Sequence, residues 1–356
     1  MNIVLLPGDG VGPEVVAAGV EVLNAVGKRF GRTFSTATHP IGASALRAGK
    51  PALPPETLAA CQASDAVLLG AVGDPAFDHL PRAEKIETGL LALRKGLGVY
   101  ANLRPAKAFA ALHDVLPFKP ERVAGADMVI VRELLGGLYF GEPRGLAADG
   151  SEGFNTMRYT PAEVERVSKY AFDIARGRRR KVLSVDKANV LETSQLWRAT
   201  ITRVAQRYPD VALEHQYVDA FAMNLALDPR RYDVVVTENL FGDILSDEAG
   251  AIAGSLGMLP SASLGDGPGL YEPIHGSAPT LAGRNVANPI GTIGSVALML
   301  RHAFTLETEA QAIEAAIESA IEGVLEAGLR TADIALPGEA TVSCSAMGSA
   351  IAGRLR

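Results

Sequence analysis

What this chain lacks narrows it first. Only two cysteines occur, Cys61 and Cys344, without a CxxC pair, so a disulfide scaffold is excluded and a reducing, cytoplasmic setting is expected. No apolar run approaches the roughly 20 residues that a membrane helix needs. The opening "MNIVLLPGDG" has no basic leader, and its apolar stretch is short for a signal peptide. Positive charge is not in excess: the net charge is −6, which points to neither a nucleic acid nor a membrane surface as partner. The familiar nucleotide fingerprints are missing too. "GDGVGPEV" has the glycines of a tight turn but puts Pro13 where GxGxxG needs its third glycine, and no P-loop occurs. Neither HExxH nor a GxSxG nucleophile elbow is present.

What is there reads as an α/β protein. With 356 residues, two domains are expected rather than one. Short apolar runs alternate with amphipathic stretches, the pattern of a largely parallel sheet. "NIVLLPGDG" reads as a strand ending in a glycine loop, and Pro13 then opens a helix with Val16, Val20 and Leu23 at helical spacing. "DAVLLGAVG", "ADMVIVREL" and "RKVLSVDKAN" repeat the strand pattern, with charged residues at the carboxyl ends of the last two. Ligands of open α/β sheets bind beyond those ends, so Arg132, Lys187 and Asp243 are candidates for one crevice. Between 133 and 160 the chain turns glycine-rich, with short β-like pieces, and predicts a protruding arm of the kind that docks on a partner subunit. "EAQAIEAAIESAIEGVLEAG" predicts a surface helix with an apolar stripe.

Each candidate site residue has a functional and a plain reading. In "ENLFGDILSDEAG", Asp243 and Asp247 stand four apart, on one helical face, where they either complement a helix start or grip a hard divalent cation. Arg94 lies on a leucine-rich helix, Arg104 just past a short strand and Arg132 at the end of "MVIV". Singly these are surface arginines; together they make a guanidinium cage for a dicarboxylic acid. Lys187, at a strand end, is a general base or a surface ammonium. Tyr139 is a general acid or an anchor for the arm. Asp219 is a third carboxylate for a metal or a helix cap. The stretch 272–289, "EPIHGSAPTLAGRNVANP", reads as a long loop whose small residues let backbone N–H groups approach a phosphate, with His275 as a contact or a structural histidine.

These segments together resemble the β-decarboxylating dehydrogenases, the isocitrate/isopropylmalate family, nearly from end to end. The resemblance rests on "LPGDGVGPE", "ANLRPAK", "VRELLGGLYFGEPRG", "SVDKANVLETSQLWR", "NLFGDILSDEAG" and "YEPIHGSAPTLAGRNVANP". Isocitrate-using members carry polar residues where "ETGLLALRK" places Leu90 and Leu91; an apolar wall suits an isopropyl group, worth on the order of 2 kcal/mol on burial. The resemblance therefore implies oxidative decarboxylation of 3-isopropylmalate to 4-methyl-2-oxopentanoate in leucine biosynthesis. It implies a substrate site of Leu90, Leu91, Arg94, Arg104, Arg132, Val190 and Asp219. Mg²⁺ or Mn²⁺ would sit on Asp243 and Asp247, with Asp219 from the other subunit. Lys187, also from that subunit, would take the hydroxyl proton, and Tyr139 would help protonate the enol. The dimer would share its active sites.

NAD would be held by Val11, Glu87, Asn189, Glu272, His275, Gly276, Ser277, Ala278, Thr280, Val286 and Asn288. One position departs from the family: NAD-using members usually have aspartate where this chain has Thr280, and NADP-using members have Lys–Tyr where it has Thr280–Leu281. NAD with weakened discrimination is expected. The implied architecture is two open α/β domains on one continuous mixed sheet, not a Rossmann fold, with a β arm. Residues 1–101 and 254–356 would form the first domain and 102–253 the second. The alternatives are a sister enzyme acting on D-malate, tartrate, homoisocitrate or isocitrate, and a non-catalytic regulatory or binding subunit.

Overall fold

The computed structural model describes residues 1–304 and 307–355. They cluster into two compact units. The first holds Met1–Val99, Phe109–Pro117 and the described residues from Ala253 on; the second holds Tyr100–Ala108 and Phe118–Ile252.

The chain begins with β1 (Asn2–Gly8), α1 (Gly12–Phe30), β2 (Ser35–Thr38), α2 (Ala43–Arg47), α3 (Pro55–Gln62), β3 (Ala66–Ala71) and α4 (Ile86–Leu97). It crosses the second unit through β4 (Val99–Lys107), α5 (Pro120–Val123), β5 (Asp127–Glu133), β6 (Gly145–Leu146), β7 (Gly153–Phe154) and α6 (Pro161–Arg176). There follow β8 (Lys181–Asp186), α7 (Glu192–Ala205), β9 (Ala212–Tyr217), α8 (Val218–Leu227), β10 (Val234–Thr237) and α9 (Asn239–Ala253). The first unit is completed by β11 (Pro260–Gly265), β12 (Gly269–Pro273), α10 (Ile290–Ala303), α11 (Glu307–Glu326) and α12 (Cys344–Arg354).

In the first unit the strand order is β2-β1-β3-β12-β11, parallel except where β11 runs against β12. Every residue of β3 is buried, as expected for an inner strand covered on both faces. Pro13 stands in the first turn of α1, where its missing N–H has no helical partner to lose, and Gly31 ends the helix at φ +65°.

In the second unit the order is β4-β5-β10-β8-β9, with only β4 antiparallel to its neighbour. The buried run Val234–Val236 fills the middle strand. The arm is short: β6 and β7 pair over two residues each, and Leu146 and Phe154 stand exposed at its tip. Its return is well defined. Thr160 accepts from the Glu163 N–H while the Glu163 carboxylate accepts from the Thr160 N–H, a capping box that starts α6 with Pro161 in its first turn. No helix among the described residues is long and apolar enough to cross a membrane.

Candidate active site

The second unit gathers five of the expected residues at the carboxyl ends of β5 and β10. Arg132 is the penultimate residue of β5 and is 1% exposed. Its Nη1 lies 2.5 Å from Oδ1 of Asp243 on α9. The Tyr139 hydroxyl donates to the other oxygen, Asp243 Oδ2, at 2.7 Å, and the Tyr139 ring lies 5.5 Å from the Arg132 guanidinium carbon. Arg104 Nη1 stands between the two aspartates, 3.4 Å from Asp243 Oδ1 and 3.5 Å from Asp247 Oδ1. This guanidinium offsets the repulsion that two carboxylates one helical turn apart would otherwise feel.

Three local readings change. Asp243 and Asp247 do not occupy the first turn of α9, which starts at Asn239 and has no acid there, so the helix-start reading fails. Arg104 does not follow a short strand; it lies inside the nine-residue β4 and is 6% exposed. Glu272 and Pro273 belong to β12, so the loop begins at Ile274. In each case strand pairing or helix extent, which depends on neighbours far along the chain, sets the boundary.

Residues not singled out in the sequence frame this cluster. Asn102 Oδ1 accepts from Arg104 Nε at 2.6 Å, and Ser246 Oγ accepts from Arg104 Nη1 at 2.6 Å. Asn239 Oδ1 accepts from Nε and Nη2 of Arg132. Beneath lie buried acids. Glu133 accepts from the N–H groups of Leu135 and Gly136, and burial pushes its carboxyl up to about 7. Glu238 is also raised by burial; it accepts from the Tyr159 hydroxyl at 3.2 Å. The nearest sequence signal was the glycine-rich turn after Glu133, which gives no hint of these partners.

Burial raises the Asp247 carboxyl, Arg104 opposes that, and Asp243 adds to it. Tyr139 is raised by burial and by Asp243, so its hydroxyl keeps its proton at neutral pH. Asp243 and Asp247 offer hard oxygen donors on one partly exposed face, with side chains 34% and 54% exposed, which fits a divalent cation of the Mg²⁺ or Mn²⁺ type. Among the described residues no group of three or more His, Cys, Asp or Glu side chains is placed to hold a metal ion, so Asp219 does not join Asp243 and Asp247 in one within the chain. Asp219 stands instead in the first turn of α8, 2.8 Å from Lys187 Nζ, which follows β8. That ammonium holds the Asp219 carboxyl below its usual value. Asn189 and Val190 are exposed just beyond.

The remaining candidates lie in the first unit. Arg94, on α4, is 8% exposed; its Nη2 donates to Glu272 Oε1 at 2.8 Å, while its buried Nε has no partner among the described residues. Leu90 and Leu91 are half-buried on the same helix and Glu87 is exposed at its start. The stretch around His275 docks on the first glycine loop: the Val11 N–H donates to the Ser277 carbonyl at 2.8 Å. Gly10, at φ +59°, permits this approach, since a Cβ there would come within 1.9 Å of that oxygen. His275 Nδ1 bonds the Gly276 carbonyl, which leaves Nε2 a buried acceptor without a partner among the described residues. Ala278 adopts φ +41°, Thr280 is exposed, Val286 half-buried, and Asn288 is buried against Asp333. An orphaned ring nitrogen beside the small residues Gly276, Ser277 and Ala278 fits a bound polar ligand such as a dinucleotide.

Comparison with known proteins bears on the family of the chain. The chain is 55% identical over 359 residues to a 3-isopropylmalate dehydrogenase of Nitratidesulfovibrio vulgaris, covering 100% of this chain and 99% of that one. It is 56% identical over 337 residues to a 3-isopropylmalate dehydrogenase of Anaeromyxobacter dehalogenans, covering 94% of each. The crystal structure of isocitrate dehydrogenase from Methylococcus capsulatus superposes with a TM-score of 0.87 at 35% identity, covering 100% of this chain and 99% of that one. The isocitrate/isopropylmalate dehydrogenase profile matches residues 2–351, and the chain belongs to that family.

Proposed function

We propose that this chain catalyses the oxidative decarboxylation of (2R,3S)-3-isopropylmalate to 4-methyl-2-oxopentanoate and CO₂, with NAD as oxidant and Mg²⁺ or Mn²⁺ as cofactor. The observation that carries the reading is the meeting of Arg104, Arg132 and Tyr139 on Asp243. Two fixed guanidinium forks, a protonated phenol and hard oxygen donors are the groups that a hydroxy dicarboxylic acid needs around it. The choice of acid is supported by the apolar Leu90 and Leu91, and by relatives at 55% and 56% identity that carry the isopropylmalate name.

In this reading Arg104 and Arg132 hold the two carboxylates. Lys187 takes the proton of the C2 hydroxyl, directly or through water, as hydride leaves C2. The bond from C3 to its carboxylate then breaks, and Tyr139 returns a proton as the enol becomes the ketone. When bound, the cation supplies stabilisation of negative charge on the C2 oxygen and the nicotinamide supplies the hydride acceptor. Asp243 and Asp247 would hold the cation with Asp219 of a second copy. A homodimer is supported by exposed apolar side chains on the second unit: Met223 and Leu227 of α8, Ile244 of α9, and Leu146 and Phe154 of the arm.

The test is the rate of reduced-nicotinamide formation with 3-isopropylmalate and Mn²⁺, using NAD and then NADP, and repeated with chelator. Chelator-sensitive turnover with NAD preferred is the expected result. Faster turnover on D-malate, tartrate, homoisocitrate or isocitrate would reassign the substrate. A preference for NADP would overturn the cofactor assignment at Thr280.

A further inference from the structure

Asn239, the first residue of α9, is fully buried. Its Oδ1 accepts from Arg132 Nε at 3.0 Å and from Nη2 at 2.8 Å. Its Nδ2 donates to the Leu134 carbonyl at 3.2 Å and the Gly136 carbonyl at 3.0 Å. Both lone pairs and both N–H groups of the amide are thus engaged. An asparagine at a helix start ordinarily turns back to cap the helix. This one faces the arginine of a neighbouring strand and the segment that follows that strand.

Its two sets of partners belong to different parts of the site. Arg132, held through Nε and Nη2, presents Nη1 to Asp243 Oδ1. Leu134 and Gly136 are the root of the segment that carries Tyr139, whose hydroxyl meets Asp243 Oδ2. One amide therefore sets the angle of the guanidinium and the place of the tyrosine's segment beside it. Gly242 closes the other side, since a Cβ there would lie 2.6 Å from Arg132 Cγ.

We propose that Asn239 is a positioning residue that registers Arg132 with Tyr139 for the chemistry of the 2-hydroxy acid. The inference rests on the dehydrogenase reading for its kinetic consequence, and on the hydrogen bonds alone for its contact with Arg132. The test is a double-mutant cycle. Asn239→Ala raises the KM for 3-isopropylmalate about tenfold and leaves the KM for NAD unchanged. In an Arg132→Lys background, where the Nε/Nη2 fork is gone, the same change adds less than about twofold. Penalties that multiply in the double variant, or an equal rise in both KM values, would overturn the proposal. Asn239→Ser carries the same cycle should the alanine variant fail to fold.

A second readout is independent of turnover. In isotope-labelled arginine spectra the Arg132 Nε–H gives a protected resonance, identified by its loss in Arg132→Lys. It loses that protection in Asn239→Ala or Asn239→Ser. A wild-type enzyme inactive on every 2-hydroxy acid would refute the functional reading and leave this resonance to decide the Asn239 contact. A resonance unchanged in the Asn239 variants would refute the contact itself.

Discussion

Asp243 is the residue on which most of the proposed chemistry turns, because three side chains meet its two oxygens. Asp243→Asn keeps the shape and an acceptor for Tyr139 but removes the charge that faces two guanidinium groups. Its expected effect is a fall in metal-dependent turnover of about a hundredfold or more with the fold intact. Rates titrated with Mn²⁺ alongside circular dichroism check this; unchanged turnover would remove Asp243 from the metal site. Glu133 makes a different statement. Burial pushes it up to about 7, against the downward pull of two backbone N–H donors and of Arg166 at 3.6 Å. A carboxyl raised on folding binds its proton more tightly in the native state, so the stability it lends is present at low pH and lost as pH rises through about 7. Glu133→Gln cannot ionise. From about pH 5 to about pH 8 its stability should gain on wild type by on the order of 1–3 kcal/mol. Urea unfolding at both pH values measures the gap, and a shift in the opposite sense would contradict the burial argument.

Among the elements, α9 carries the most information. A glycine inside a helix is ordinarily a weakness, and Gly242→Ala should add roughly 1 kcal/mol by propensity alone. Here the added Cβ would stand 2.6 Å from Cγ and 2.8 Å from Cβ of Arg132, atoms near the backbone that cannot swing aside. The expected outcome is no gain in melting temperature and a KM for the hydroxy acid raised about tenfold or more. A more stable variant with unchanged KM would show that Arg132 has room to move. The arm is the complementary case. Its glycine-rich composition made it legible in sequence, and the capping box at Thr160 and Glu163 marks where it ends. What it covers was not legible: Tyr159 is buried against Glu238 and Trp197, while Phe154 stays exposed.

At the scale of the whole molecule, the proposal that Lys187 and Asp219 serve a second copy has a direct consequence. Lys187→Met and Asp243→Asn homodimers should each be nearly inactive, yet mixing them with subunit exchange should restore activity. A random mixture makes half its dimers mixed, each with one intact site, so about a quarter of wild-type activity is expected. No recovery from exchanged dimers, shown mixed by mass, would place Lys187 in its own chain's site. The apolar side chains left exposed on α8, α9 and the arm are candidates for such an interface.

The sequence alone determined the α/β class, the position of β1, β3, β5 and β8, the arm and the inventory of charged groups. These follow from local rules: alternation, helical spacing and turn chemistry act over a few residues. The departure at Thr280 was equally visible, because it is a matter of identity rather than geometry. Only the tertiary structure decided which charges meet. Arg132 and Asp243 are 111 residues apart, and Arg94 and Glu272 are 178 apart. The first pair meets because β5 lies beside β10, so the ends of two strands distant in the chain open at the same place. Asn239 shows the limit most clearly. In sequence it is an ordinary residue of the stretch that also carries Asp243; its role is set by an arginine and two carbonyls that the order of strands brings to it.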